Sequence, residues 1–102
     1  MATNAEFMEF AAAQLADAGK VTYRKMFGEY GVYCDGQFFG TVEDNQLYVK
    51  VTAAGRRLLG DPPLTAPHEG ARMLLVADLD DRAFLARLVQ ETCEALRGGE
   101  KG

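Results

Sequence analysis

The hydrophobic pattern of the chain is helical at both ends and strand-like in the middle. Over residues 3–18, apolar side chains recur three or four positions apart, as they do along one face of an α-helix. Residues 81–97 repeat this spacing, with charged side chains on the opposite face. Each end therefore predicts an amphipathic helix that buries one stripe. The candidate caps at the starts of the two helices are Thr3, Asn4, Asp78 and Asp80.

Between these helices the apolar period falls to two, which is typical of β-strands and extends over residues 21–51. The Asp-Gly pair at 35–36 lies between two strand-like runs and predicts a tight hairpin. Gly28 and Gly31 bracket a second predicted turn or bulge, where most side chains are not tolerated. Gly40 lies inside a strand-like run, so it predicts a bulge or a close packing approach.

The later part of the middle segment predicts a short helix over 53–59, an exposed loop over 60–71 and a buried strand over 72–77. Strands clustered between helices, without strand–helix alternation, indicate an α+β fold. We expect two layers, with an antiparallel sheet of about five strands and the N- and C-terminal helices packed on one face. Residues 21–27 are expected to form an edge strand or an extended segment that crosses the rim of the domain. Residues 1–102 are predicted to be a single domain.

Composition and charge narrow the classes of function. The 102 residues carry a net charge of −4. Residues 20–57 contain six basic and four acidic side chains, whereas the remainder contains five and eleven. The acidic total argues against nucleic-acid binding, even though tyrosines and basic residues interleave in the middle. The basic middle suits an anionic ligand or an acidic protein surface. No membrane span or signal peptide is visible, so we expect a cytoplasmic protein.

Side chains suited to catalysis or metal binding are sparse. The chain has one histidine, His68, and two cysteines, Cys34 and Cys93, which are far apart and lie in apolar patterns. Neither cysteine has the basic neighbours that activate a thiol, and no segment has metal-ligand spacing. We therefore expect buried, reduced thiols. No catalytic residue, metal site or cofactor is predicted.

One motif is distinctive. The segment Arg-Lys-Met-Phe-Gly-Glu-Tyr-Gly at 24–31, followed by Leu-Tyr-Val-Lys-Val at 47–51, resembles the N-terminal domain of the TfoX/Sxy family. The resemblance covers about residues 5–97 and implies a two-layer α+β fold. It also implies a link to regulators of natural competence, which act in transcriptional control alongside a cyclic-nucleotide-responsive activator. Glu29 stands where the family commonly has a second glycine. The chain resembles stand-alone members, because the two-domain regulators continue into a C-terminal helical domain.

Two hypotheses for function follow. The first is a non-enzymatic protein-interaction module, whose edge strand adds to the sheet of an unknown protein partner or of a second copy in a homodimer. Its predicted contact surface comprises Arg24, Lys25, Met26, Phe27, Gly28, Gly31 and Lys50. The second is a small-molecule or anion-binding domain, or an enzyme. Its predicted pocket lies near Arg24, Tyr30, Lys50 and His68.

Overall fold

A five-stranded antiparallel sheet forms one layer of the protein, and helices form the other. The structure is a computed structural model that describes residues 2–100. In chain order the elements are α1 (Ala5–Leu15), β1 (Val21–Met26), β2 (Glu29–Cys34), β3 (Gln37–Glu43), β4 (Gln46–Lys50), α2 (Ala53–Leu58), β5 (Met73–Val76) and α3 (Arg82–Arg97). The strands lie side by side in sequence order, and every neighbouring pair is antiparallel. The predicted α+β fold is confirmed.

Two-residue turns join the first four strands. Both residues of each turn have positive φ, the conformation of the type I′ turns that match the twist of a hairpin. The turns are Phe27-Gly28, Asp35-Gly36 and Asp44-Asn45. The hairpin predicted at 35–36 is therefore confirmed. The turn predicted between Gly28 and Gly31 begins one residue earlier than expected, and Gly31 lies within β2.

The helices cover one face of the sheet. Side chains from α1 and α3 and from alternate positions along the strands share one buried cluster, which is the core of the protein. Its largest fully buried members are Phe39, Met8, Leu15, Leu47, Leu74, Leu85 and Leu88. The short helix α2 lies on the same side, because a Cβ at Gly55 would contact the Leu74 side chain at 3.4 Å. Over residues 2–100, the opposite face of the sheet carries no helix.

The helix caps differ in part from the prediction. Asn4 caps α1 by accepting a hydrogen bond from the amide three residues ahead. Thr3 is not a cap, because its hydroxyl is buried and donates to a carbonyl of β3. Asp81 caps α3, whereas neither Asp78 nor Asp80 does. The Asp78 carboxylate instead accepts from the Asp80 amide, which closes a turn before the helix begins.

Candidate functional site

β1 is an open edge of the sheet. In the β1–β2 ladder, the Lys20 carbonyl accepts a hydrogen bond from the Asp35 amide at 2.9 Å. Hydrogen-bonded and non-hydrogen-bonded pairs alternate along an antiparallel ladder, and the β1–β2 register is regular. Val21, Tyr23 and Lys25 therefore turn their N–H and C=O groups away from β2. No strand in residues 2–100 lies on that side.

The other edge of the sheet is partly covered. The amide of Thr65 donates to the Met73 carbonyl at 2.8 Å, and the amide of Met73 donates to the Thr65 carbonyl at 2.8 Å. This bridge ties the loop after α2 to the start of β5. Proteins commonly shield sheet edges in this way to prevent strand addition. β1 has no equivalent bridge within the described chain, so it is the more accessible edge.

The two cations of β1 lie on opposite faces of this edge. The Arg24 guanidinium lies 5.8 Å from the centre of the Tyr33 ring, on the helix-free face. Lys25 follows it in the strand, so its side chain projects towards the helical side. Both residues are exposed. A strand added to β1 would therefore meet positive charge on both of its faces.

Gly31 makes room for a side chain of β1. A Cβ at Gly31 would lie 2.6 Å from the Met26 terminal methyl and 3.2 Å from Cε1 of Phe38. The Met26 side chain thus lies across β2 and reaches the Phe38 ring on the helix-free face. Glycine at this position thus leaves space for the Met26 side chain and does not form part of a turn.

Phe27 is the most exposed large apolar side chain of the described residues. It lies at the tip of the β1–β2 turn with φ at 52°, a conformation that is uncommon for a bulky residue. Gly28 follows it with φ at 82°, as the type I′ turn requires. The turn therefore presents an aromatic ring to solvent beside the open edge.

A cavity of 920 Å³ lies on the helix-free face, between the β1–β2 turn and the loop that precedes β5. Side chains of β3, β4 and β5 form its floor, and Gly28, Gly70 and Arg72 lie on its two sides. Its main lining side chains are Met26, Phe27, Phe38, Lys50, His68 and Met73. The Lys50 ammonium lies 5.4 Å from the centre of the Phe38 ring. The cavity thus combines an apolar floor with a small number of charged groups.

One wall of the cavity contains a buried carboxylate. Glu43 lies on β3 and accepts a hydrogen bond from the Thr41 hydroxyl at 2.8 Å. His68 Nδ1 lies 3.0 Å from each carboxylate oxygen of Glu43. The loop over residues 60–71 has no buried residue, in agreement with the prediction of an exposed loop, and it is tied to the sheet through its histidine. Sequence reasoning missed Glu43. It stands two positions after Thr41, and this spacing places both side chains on the same face of β3, which was a usable signal.

Glu29 joins three separate parts of the chain. Its carboxylate accepts hydrogen bonds from the Thr3 amide at 2.8 Å and from the Asp44 amide at 2.9 Å. Burial alone would raise the pKa of Glu29, but hydrogen bonds from Thr3 and Asp44 outweigh it and hold the pKa below its ordinary value. The residue that departs from the family motif thus fixes the N-terminal segment against the β3–β4 turn.

The structure separates the predicted contact surface into two parts. Residues 24–28 and Gly31 lie together at the β1 side, whereas Lys50 lies on β4, three strands away. At about 4.8 Å per strand, this separation is roughly 14 Å. Among the residues of the predicted pocket, Tyr30, Lys50 and His68 line the cavity and Arg24 does not. The Tyr30 ring packs edge-on against Tyr23 at 5.6 Å.

The cysteines are buried, as the apolar patterns predicted, and neither forms a disulfide. Burial raises the pKa of Cys93 to about 11. Burial and the neighbouring Asp35 carboxylate also raise the pKa of Cys34. Both thiols are therefore poor nucleophiles at neutral pH. Within residues 2–100, no three His, Cys, Asp or Glu side chains are grouped to hold a metal ion. No helix of that part is long and apolar enough to cross a membrane.

A family model described as the TfoX N-terminal domain matches residues 13–96. The chain belongs to this family. A relative from Spirochaeta aurantia, described as an uncharacterized 12.7 kDa protein in the trpE 5′ region, is 37% identical to this TfoX N-terminal domain protein over 98 residues. The aligned part is 94% of this chain and 85% of the relative. The resemblance inferred from residues 24–31 and 47–51 is confirmed.

Proposed function

We propose that this chain is a protein-interaction module with a regulatory role, and that it binds an acidic strand of a partner protein along β1. The observation that carries the proposal is the open edge. Val21, Tyr23 and Lys25 offer three sets of outward N–H and C=O groups, which an extended segment of another chain can pair. Membership in the TfoX N-terminal domain family supports the regulatory part of the proposal.

The charge of the edge favours an acidic partner over a second copy of this chain. Arg24 and Lys25 are exposed, and no carboxylate in residues 2–100 forms an ion pair with either. Two copies joined through β1 would bring four cations into one interface. A strand carrying Asp or Glu would instead place opposite charges across from them. Each such cross-strand pair contributes about 0.2–1 kcal/mol.

Phe27 supplies the apolar part of the contact. Its ring is wholly exposed beside the end of β1, and burying it against a partner would contribute about 1.5–3 kcal/mol. Met26, which is also exposed in part, adjoins it. An aromatic anchor flanked by cations is a typical arrangement at protein interfaces. The edge therefore offers backbone pairing, charge and an apolar anchor within one short segment.

The test compares two double variants in affinity capture from the native cell. Arg24→Glu with Phe27→Ala alters the edge. Arg87→Glu with Phe10→Ala makes the same chemical changes at exposed positions of α3 and α1, so it serves as the matched control. We expect the edge variant to reduce recovery of the partner at least about tenfold. The control variant retains the partner, and both variants keep the circular dichroism spectrum of the wild type.

Three outcomes would contradict the proposal. Full recovery of the partner by a folded edge variant rejects this surface. Equal loss with both variants shows that the effect is not specific to the edge. Light scattering adds the third arm: a wild-type dimer that the edge variant dissociates would keep β1 as the contact but replace the acidic partner with a second copy.

A further inference from the structure

We infer that the cavity on the helix-free face is a binding site for a small organic carboxylate with an apolar body, and that Lys50 is its counter-ion. This site adjoins the end of the β1 edge, with which it shares Met26 and Phe27, and it goes beyond the function proposed above. The edge would pair backbone groups of another chain, whereas the cavity is an open concave surface that would bind a small molecule through its side chains. The charged groups of the two sites are separate, since Lys50 lies three strands from β1.

The cavity has the size of a ligand pocket, and contacts within the chain tie its loop wall to the sheet. Its volume of 920 Å³ falls within the roughly 300–1,000 Å³ range of small-molecule sites. The Thr65–Met73 bridge and the His68–Glu43 contact hold the loop that forms one wall. The β1–β2 turn, which forms the other wall, is fixed in a type I′ conformation.

The apolar lining selects for a ligand with a hydrophobic body. Phe38 and Met73 lie on the floor, and Met26, Phe27 and Pro67 lie at the sides. The Phe38 ring is only half-buried, so one part of it remains available for contact. A flat apolar group placed against this ring would displace water from the lining and gain the free energy of burial.

The charged groups select for a carboxylate. Glu29 is occupied by two backbone amides, and Glu43 is occupied by Thr41 and His68. The cations differ in this respect. Lys50 and Arg72 line the same cavity, and neither pairs with a carboxylate of residues 2–100. The charged groups of the cavity that remain without an ion-pair partner are therefore hydrogen-bond donors, and an anionic oxygen can accept hydrogen bonds from them.

The same groups argue for a single negative charge rather than a polyphosphate. Sites for phosphate groups rely on clusters of free backbone amides at helix N-termini or in glycine-rich loops. The floor of this cavity is a sheet, in which backbone amides pair with neighbouring strands. Glu29 and Glu43 also lie in the lining and would repel a multivalent anion. A monocarboxylate needs only one cation, which Lys50 provides beside the Phe38 ring.

The experiment is a chemical-shift titration of the full chain with four probes at neutral pH. Benzoate has both the carboxylate and the apolar body. Benzamide lacks the charge, acetate lacks the body, and inorganic phosphate replaces the carboxylate. We expect saturable benzoate shifts at amides of the cavity lining, with a Kd at least about tenfold lower than for the other three probes. Amides of α1 and α3 should stay unshifted.

Variants then test the role of Lys50. We expect Lys50→Gln to raise the benzoate Kd at least about tenfold and Lys50→Arg to retain binding, because the arginine keeps the positive charge. Lys25→Gln is the matched control, since it removes an exposed cation on the opposite face and leaves benzoate binding unchanged. It also separates the two proposals, because it weakens the edge contact without affecting the cavity.

The inference is overturned by any of four results. These are the absence of saturable benzoate shifts, equal affinity for benzamide, tighter binding of phosphate, and undiminished benzoate binding by a folded Lys50→Gln protein. Each result leaves the capture experiment on the β1 edge unaffected. The single variant Arg24→Glu separates the two sites, because Arg24 does not line the cavity. Loss of the partner by this variant, together with intact benzoate binding, would support both sites independently.

Discussion

Replacing Gly40 with alanine tests a close approach between the backbones of β3 and β4. A Cβ at Gly40 would lie 2.0 Å from the Tyr48 carbonyl oxygen and 3.0 Å from the Val49 Cα. Both neighbours are backbone atoms of β4, so no rotamer change relieves the overlap. The first contact must lengthen by about 1.4 Å to reach an ordinary separation of 3.4 Å, which means that β3 and β4 must move apart.

The magnitude follows from that movement. A shift of this size breaks roughly two ladder hydrogen bonds, each contributing about 1 kcal/mol. Overpacking adds about 1–3 kcal/mol to this loss of stability. The lower conformational entropy of the unfolded chain with alanine offsets about 0.4–1 kcal/mol of the loss. We therefore expect Gly40→Ala to lower the free energy of unfolding by about 3 kcal/mol, a large share of the roughly 5–15 kcal/mol typical of a domain.

Urea unfolding followed by circular dichroism measures this change, and two other glycines serve as matched controls. At Gly31 the obstructing atom is the end of the flexible Met26 side chain, so Gly31→Ala should cost less than about 1 kcal/mol. Gly36 has open space but a φ of 84°, so Gly36→Ala should cost about 1–2 kcal/mol. A Gly40→Ala protein within about 1 kcal/mol of wild type would refute the close β3–β4 approach.

Three further predictions concern single groups. The folded pKa of Glu29 lies below its ordinary value of 4.5, so its stabilising effect is complete above pH 4.5 and is lost as the pH falls through the folded pKa. The urea midpoint of a Glu29→Gln protein should therefore fall less steeply than that of the wild type below pH 4.5. Identical slopes for the two proteins would contradict this. Cys34 and Cys93 should resist a thiol reagent in the native protein at mildly alkaline pH and react after unfolding; rapid native labelling would show that they are accessible. The buried Thr52 hydroxyl caps α2, so Thr52→Ala should lower thermal stability by about 1 kcal/mol and Thr52→Ser should restore most of it; no loss on Thr52→Ala would mean that the cap contributes little.

Features set by neighbouring residues could be predicted from the sequence. The hairpin at 35–36 depends on the ability of Asp and Gly to adopt positive φ, which is local chemistry. The alternation of apolar and polar side chains gave the faces of the strands, and helical spacing gave the two long helices. The cap of the last helix was harder, because Asp78, Asp80 and Asp81 are chemically equivalent acceptors and only the path of the chain selects Asp81.

Features set by distant residues could not be predicted in the same way. Glu43 and His68 are 25 positions apart, and they meet only because the loop before β5 folds over the sheet. The glycine spacing predicts a turn at Gly31, but the space at Gly31 is taken by the Met26 side chain, which crosses β2. Glycine spacing alone does not reveal that contact. Lys50 belongs to the motif in sequence, but the strand order places it on the cavity floor, away from β1.

Amide hydrogen exchange along β1 tests the central claim most directly. We expect the amides of Val21, Tyr23 and Lys25 to exchange rapidly in the free protein, while the alternate amides that bond to β2 are protected. Addition of the captured partner, or of its acidic segment as a synthetic peptide, should slow exchange at these three amides. Protection of all three in the free protein, or their unchanged rapid exchange in the complex, would contradict strand addition at this edge.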